Sequence, residues 1–431
     1  MSLISSTTSQ QKENYTGLFL LILSGELIFI LPYVISRIFR PTYLEVFEIS
    51  NSQLGTLYSI YGTAAIFCYV FGGRIADRYN PQQLLPISMF MTAIGGFYLA
   101  TYPSYLALKF LYSYWGITTN LLFWSSMIKS TRAWGGTKRQ GRAFGFLDGG
   151  RGLVASLIGS SGIFIFSFFL TANIESASLE ERQEAFRYVI LFSSFCIAVV
   201  GLINYFFLDI QTNYKKQESR TFSQYFKPVT TVLKQESVWL IMLIVLCAYF
   251  GYRVTDIYSL YASEVMQYNE IDAANISALQ LYLRPVSCIL FGLLYDRSKK
   301  PLLWVVLGFV ILLIGSLLFA SGSIHPPFKT YFFGSLIVIA IGTYAVRALY
   351  FALLKEGRIA LVLTGTSVGV ISFGGYTPDI FSGPLIGYYL DHYPGLLGHQ
   401  YVFMYLAGFS VIGLICTLRF VKIRTSNSNY S

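Results

Sequence analysis

Long apolar runs recur along this chain, each separated from the next by a short charged or turn-rich stretch. A helix crosses a bilayer in roughly 20 mostly apolar residues. Twelve runs meet that description: 17–38, 53–73, 83–102, 104–128, 142–170, 186–208, 237–261, 272–294, 301–321, 330–354, 360–388 and 399–420. They lack the continuous polar stripe of helices packed on a soluble core. The predicted fold class is therefore an all-α membrane protein with twelve transmembrane helices. Residues 1–16 are polar and do not pair a basic start with a short apolar run, so span 1 is expected to act as its own insertion signal.

Composition sharpens this picture. Of 431 residues, 54% are apolar, 17% aromatic and only 12% charged, and mean hydropathy is +0.56. Soluble domains are about 25% charged. A disordered chain, a disulfide-stapled secreted module and almost any soluble enzyme are excluded. The net charge is nevertheless +10. With the N-terminus inside, 21 of the 31 Lys and Arg fall in inner segments and 5 in outer ones (Arg37, Arg40, Arg182, Arg187 and Lys329). The other five, Lys109, Arg151, Arg253, Arg284 and Arg347, lie within spans. The positive-inside rule then places both termini in the cytoplasm. Topology and lipid account for the charge, so no nucleic-acid partner is expected.

The five cysteines all lie inside spans, and the three histidines lie in outer loops. Neither gives a disulfide framework or metal-ligand spacing, and no glycine-rich phosphate loop occurs. No metal, cofactor or enzymatic activity is expected, and ATP-driven pumping within the chain is not indicated.

The most specific feature is an internal repeat. Residues 72–78 read GGRIADR at the inner end of span 2, and 291–297 read FGLLYDR at the inner end of span 8. Each sets a glycine four residues before Asp-Arg (Gly73/Asp77/Arg78 and Gly292/Asp296/Arg297), and the two copies are 219 residues apart. A second pair follows the same logic: Trp124, Lys129 and Arg132 after span 4, and Tyr350, Lys355 and Arg358 after span 10. Two six-span halves in parallel repeat is a transporter plan. The expected organisation is an N-terminal bundle over 1–208, a charged cytoplasmic linker over 209–236 and a C-terminal bundle over 237–431.

On these residues the chain resembles the major facilitator superfamily of secondary transporters, across essentially its whole length, and the stretch GRAFGFLDGGRGLVASLIG (141–159) resembles poorly characterised bacterial permeases within it. That family's loop between spans 2 and 3 reads G-x-x-x-D-R/K-x-G-R/K-R/K. Gly73, Asp77 and Arg78 match, whereas Asn80, Pro81 and Gln82 replace the rest. Span 5 lacks the Gly-Pro signature of the superfamily's drug/proton antiporters. The resemblance implies two six-helix bundles rocking about a central cavity lined by spans 1, 2, 4, 5, 7, 8, 10 and 11. It also implies a bacterial inner membrane location and a gating role for the repeated motif. A carboxylate at a helix end can accept the free N–H groups of a neighbouring helix start. Asp77 is expected to do so at the start of span 11, with Arg132 or Arg142 as partner. Asp296 would do so at the start of span 5, with Arg358. The same residues can also be read as topology-setting charges.

Nine charged residues lie in the spans: Glu26, Lys109, Asp148, Arg151, Arg253, Asp256, Arg284, Arg347 and Asp379. Ionisable groups at that depth are costly and face a bundle interior or a wet cavity. All nine fall on the spans the resemblance assigns to the cavity. Asp148/Arg151 and Arg253/Asp256 are three apart on one helix and can neutralise each other. Arg284 has no such neighbour, so it requires a carboxylate from another helix or an anionic ligand. Arg151 and Arg284, with Tyr33, Trp115, Tyr249, Tyr282 and Tyr376, are the expected substrate-binding groups. Glu26, Asp256 and Asp379 are the candidates for proton coupling, with Glu26 also readable as a static ion pair to Arg151 or Lys109. The expected function is secondary active transport of a small organic solute, favouring an anion, by a monomer. The alternatives are a neutral sugar or metabolite as substrate, export of a drug or metabolite, and a transporter-like sensor.

Overall fold

The computed structural model describes residues 15–135, 140–170, 177–209, 230–359 and 364–428, apart from some side chains near the helix ends. Among these residues the chain is helical and contains no strand. Helix α1 runs from Tyr15–Leu27 through a π-turn at Ile30–Val34 into Ile35–Ile38. A short helix, Arg40–Val46, leads to α2 (Asn51–Arg78) and α3 (Pro81–Leu99). Helix α4 starts as Tyr105–Ile117, widens to a π-helix at Thr118–Trp124 and ends as Ser125–Gly135. Helices α5 (Gln140–Phe169) and α6 (Leu179–Phe207) follow. Helix α7 combines Glu236–Val254, a 3-10 turn at Thr255–Ile257 and Tyr258–Glu264. Then come α8 (Glu270–Arg297), α9 (Leu302–Ala320), α10 (Lys329–Leu349), α11 (Thr364–Gly375 with Pro378–His392) and α12 (Leu396–Ser428).

Among the described residues, seven helices are long and apolar enough to cross a membrane, or eight if the bent α1 counts as one span. The rest are shortened by breaks, as in α4 and α11, or diluted by polar residues. Local chemistry sets their starts. Ser50 and Gln53 form a reciprocal capping box at α2, and Ser178 and Glu181 form another at α6. The Asn80-Pro81-Gln82 departure from the family motif also has a local cause. Asn80 Oδ1 accepts the Gln82 N–H as the α3 cap, and Pro81 occupies the first helical position, where no N–H is needed.

One apolar core gathers buried side chains from Leu20 to Leu208, together with Ala274, Ala278 and Leu281 of α8. A second runs from Val232 to Phe420. The contacts between the two sets differ from one face of the membrane to the other. The basic face carries the turns after Arg78 and after Arg297. On the opposite face α2 and α11 cross at glycines: a Cβ on Gly55 would strike the Gly383 backbone, and one on Gly387 would strike Asn51 and Ser52. Small residues permit this backbone approach. Asp391, at the end of α11, accepts the N–H groups of Asn51 (3.0 Å) and Ser52 (2.6 Å), the first turn of α2. A carboxylate there satisfies orphan donors and complements the helix dipole. Glu270 at the start of α8 pairs with Arg182 and accepts from Thr42. Toward the basic face α5 and α8 draw apart, while Phe144 of α5 still meets Phe351 at a ring separation of 6.1 Å and Tyr69 of α2 packs on Tyr376 of α11. Gly152 of α5 packs on the Arg284 side chain, but a Cβ on Gly145 or Gly292 would meet nothing within 4 Å.

Arg37 and Arg40 correct the expectation that placed them in an outer loop. They are 0% and 2% exposed, enclosed where the opposite face closes. Ser259, which donates to the Arg37 carbonyl at 2.8 Å, is enclosed with them. A cysteine at Ser259 is therefore expected to resist a membrane-impermeant maleimide, and Gly55→Val, which blocks the α2–α11 crossing, should raise its labelling several-fold. Unchanged labelling would contradict this account of the closed face.

Candidate functional site

The irregular segments of the helices surround the charged residues. The π-turn of α1 separates Glu26 from Arg37, the 3-10 turn of α7 contains Asp256, and the break in α11 lies between Tyr376 and Asp379. Non-helical backbone at membrane depth is tolerated where it is buried in protein or lines a cavity. These breaks turn side chains from both halves toward one another.

Two linked layers result. In the first, Arg151 Nε lies 3.0 Å from Glu26 Oε2, and Arg284 Nη1 lies 3.4 Å from Glu26 Oε1. Arg284 Nη2 donates to Asp148 Oδ1 at 2.7 Å, Arg347 Nε stands 3.4 Å from Asp148 Oδ2, and Arg151 Nη1 is 3.9 Å from Asp148 Oδ1. Three guanidiniums thus share two carboxylates. In the second layer Asp256 is held by Arg37 Nε at 2.5 Å and Arg253 Nη1 at 3.0 Å. Arg253 Nε also approaches Asp379 at 3.5 Å, and Tyr249 Oη donates to both Asp379 oxygens at 2.9 and 3.1 Å. Tyr252 joins the layers. Its hydroxyl accepts from Arg37 Nη1 at 2.9 Å, and its ring lies under the Arg347 guanidinium at 3.8 Å. Cation–π contacts of this kind gain strength when desolvated.

The expected residues divide accordingly. Glu26, Arg151, Arg284, Asp256, Asp379, Tyr249 and Tyr33 belong to the network, with the Tyr33 ring 4.4 Å from Arg253. Tyr376 borders it, bonded to Tyr350 at 3.2 Å and packed on Tyr249 and Trp124. Two of the expected binding residues stand apart. Trp115 donates to the Thr92 carbonyl between α3 and α4, and Tyr282 bonds Ser160 at 3.0 Å across α5 and α8. Their apolar rings fill helix contacts away from the charges. Lys109 rests over the Tyr105 ring, so it is not the partner of Glu26.

Of the gating set, the side chains of Gly73, Asp77, Arg78, Arg132 and Arg142 lie outside the described residues. Asp296, Arg297 and Arg358 are exposed at the basic face, beside the open space at Gly292. Asp296 makes no ion pair among the described residues.

Arg37 and Tyr252 are functional candidates that sequence reasoning missed, and Arg347, counted there among the in-span charges, was given no binding role. A signal for the first existed: Arg37 and Asp256 are 219 residues apart, the offset of the repeat. Residues at equivalent positions of two pseudo-symmetric halves can meet on the axis relating them.

The fold and this buried polar core define a solute carrier of the membrane. The Major Facilitator Superfamily profile matches residues 16–376, and the chain belongs to that family. It is a multi-pass membrane protein and a transporter. It is 27% identical over 427 residues to inner membrane protein YihN of Escherichia coli (strain K12), covering 95% of this chain and 96% of that protein. Inner membrane protein YqcE of the same organism is 26% identical over 415 residues, with 94% of each covered. Among solved structures, the inward-facing, occupied form of a bacterial homolog of the human lysosomal transporter Spinster superposes with a TM-score of 0.67 at 15% identity, covering 95% and 96% of the two chains. A mutant of nucleoside transporter NupG gives 0.68 at 15% identity, covering 94% and 99%. These similarities of structure show the fold.

Removing one partner of a buried ion pair costs about 3–5 kcal/mol because a charge is left uncompensated. Asp256→Ala leaves Arg37 without a carboxylate and Arg253 with only its 3.5 Å approach to Asp379, and should reach that range in detergent unfolding. Arg37→Ala should cost less, since Arg253 still holds Asp256, and adding it to Asp256→Ala should recover part of the loss. Equal, additive losses would show that the pair is not coupled.

Proposed function

We propose that this protein is a proton-coupled secondary transporter of a small organic anion. Its two six-helix bundles, 1–208 and 237–431 joined by 209–236, rock as a monomer about the charged core. The basic face is cytoplasmic, in a bacterial inner membrane, and the open space beside Gly145 and Gly292 supports reading this conformation as the one that opens to that side. Gly73, Asp77, Arg78 and their partners at the basic face would close it in the other conformation, with Gly292, Asp296, Arg297 and Arg358 in the equivalent role.

The observation that carries the anion is the unequal count in the first layer. Among the described residues, Arg151, Arg284 and Arg347 form ion pairs only with Glu26 and Asp148. A desolvated excess cation is costly, and an anionic solute relieves it. Arginine suits such a group because its planar fork can bind it in two-point fashion. For the proton, the geometry favours Asp379 over Glu26 and Asp256. Each of the latter lies between two arginines, whereas Asp379 has a phenol donor and one guanidinium at 3.5 Å. Protonating Asp379 therefore sacrifices the least ion pairing.

Proteoliposome uptake of carboxylates, phosphate esters and sulfonates against uncharged sugars and nucleosides tests the substrate class. Anion flux that Arg284→Ala reduces by more than tenfold is expected; flux of neutral solutes alone would contradict the proposal. Asp379→Asn should abolish accumulation driven by a pH gradient while preserving counterflow exchange. Unaltered pH-driven uptake would remove Asp379 from the coupling role.

A further inference from the structure

We infer that the first layer is built to receive one negative charge, and that Asp148 holds the place of the solute's anionic group when the carrier is empty. This rests on the anion-transporter proposal and specifies the charge and the anchor.

The arithmetic is local. Arg151, Arg284 and Arg347 against Glu26 and Asp148 leave one uncompensated positive charge. In the adjoining layer Arg37 and Arg253 face Asp256 and Asp379, and the buried Arg40 beside them is held by the Asp256 carbonyl and by Asn51 Oδ1. One monoanionic group neutralises the first layer; a dianion would leave that layer negative and a cation more positive. A low-dielectric site penalises both outcomes.

Arg347 supplies the open position. Its Nη1 is buried without a hydrogen-bond partner among the described residues, and its Nε reaches Asp148 only at 3.4 Å. The Tyr252 ring backs one face of the guanidinium at 3.8 Å, which fixes the plane of the fork. An unpaired buried donor carries a desolvation cost that an acceptor would remove. Arg284 offers a second unpaired donor, Nε, beside it.

Asp148 is the more exposed counterpart. Its side chain is 18% exposed, against 0–6% for its ion-pair partners Arg151, Arg284 and Arg347. It lies on the glycine-rich stretch of α5, just where α5 and α8 begin to part toward the basic face. A solute arriving from that face meets Asp148 before the arginines behind it. Its carboxylate then swings aside, still ionised and within the layer, as the solute's acidic group replaces it between Arg284 and Arg347.

Cys288 makes this testable without knowing the solute. Its Sγ is 3.6 Å from Asp148 Oδ2 and fully buried, so a reagent must enter the cluster to reach it. The probes are the anionic 2-sulfonatoethyl and the cationic 2-(trimethylammonium)ethyl methanethiosulfonates. They are applied to the full-length chain with Cys68, Cys196, Cys247 and Cys416 changed to Ser. The expected ratio of anionic to cationic modification rates exceeds one in the parent and rises roughly tenfold in Asp148→Asn, where the first layer carries two positive charges. It falls to about one in Arg347→Gln, where the first layer is neutral, and Arg347→Lys, which keeps the charge and controls for folding, retains the parent ratio. A ratio that ignores these substitutions, or failure of both reagents to reach Cys288, overturns the inference. Anion uptake that survives Arg347→Gln would overturn the anchor while leaving the anion-transporter proposal standing.

Discussion

A guanidinium inside a membrane must find a counter-charge, and in this protein it finds one on the other half of the molecule. Glu26 of α1 is shared by Arg151 of its own half and Arg284 of the other; Asp148 of α5 is reached from α8 and α10; Arg37 of α1 is bound to Asp256 of α7. Apolar packing cannot dictate how two bundles meet in lipid, because lipid tails are as apolar as leucine. Ion pairs can, because each is expensive to leave unmade. The relative position of the halves is therefore written largely in charge.

The same pairs make the arrangement reversible in principle. At the opposite face, closure depends on glycine crossings and on groups that would be solvated again on separation: the α2 amides on Asp391, and Arg37 on Asp256. Separation there would also part Ala274, Ala278 and Leu281 of α8 from the first apolar core. Tyr252 touches Arg37 of the closed face and Arg347 of the first layer. On the proposed mechanism, Tyr252 is the side chain through which a change of charge around Arg347 would reach the closed face.

Much of the fold was legible because bilayer length and hydropathy are one-dimensional constraints. The apolar runs, the family and the repeat could be read directly, as could the charged residues that had to face inward. Arg37 was not placed correctly because it stands at the end of an apolar run, where sequence cannot separate a loop from a buried gate. The repeat offset to Asp256 held that information. Trp115 and Tyr282 were overread: an aromatic near the membrane centre packs between helices as readily as it lines a cavity, and only three-dimensional neighbours separate the cases. Arg284 was the opposite case. The absence of a carboxylate on its own helix predicted a partner elsewhere, and two were found. Arg347 has an unmatched donor, which is a property of geometry that no spacing reveals.

The central claim is that solute recognition and the joining of the two halves use one set of charges. The structure of the protein with its transported solute bound tests this most directly. The account predicts an acidic group of the solute in contact with Arg347 and Arg284, with Asp148 withdrawn from both. A solute seated away from these arginines, or one with no negative charge, would contradict it.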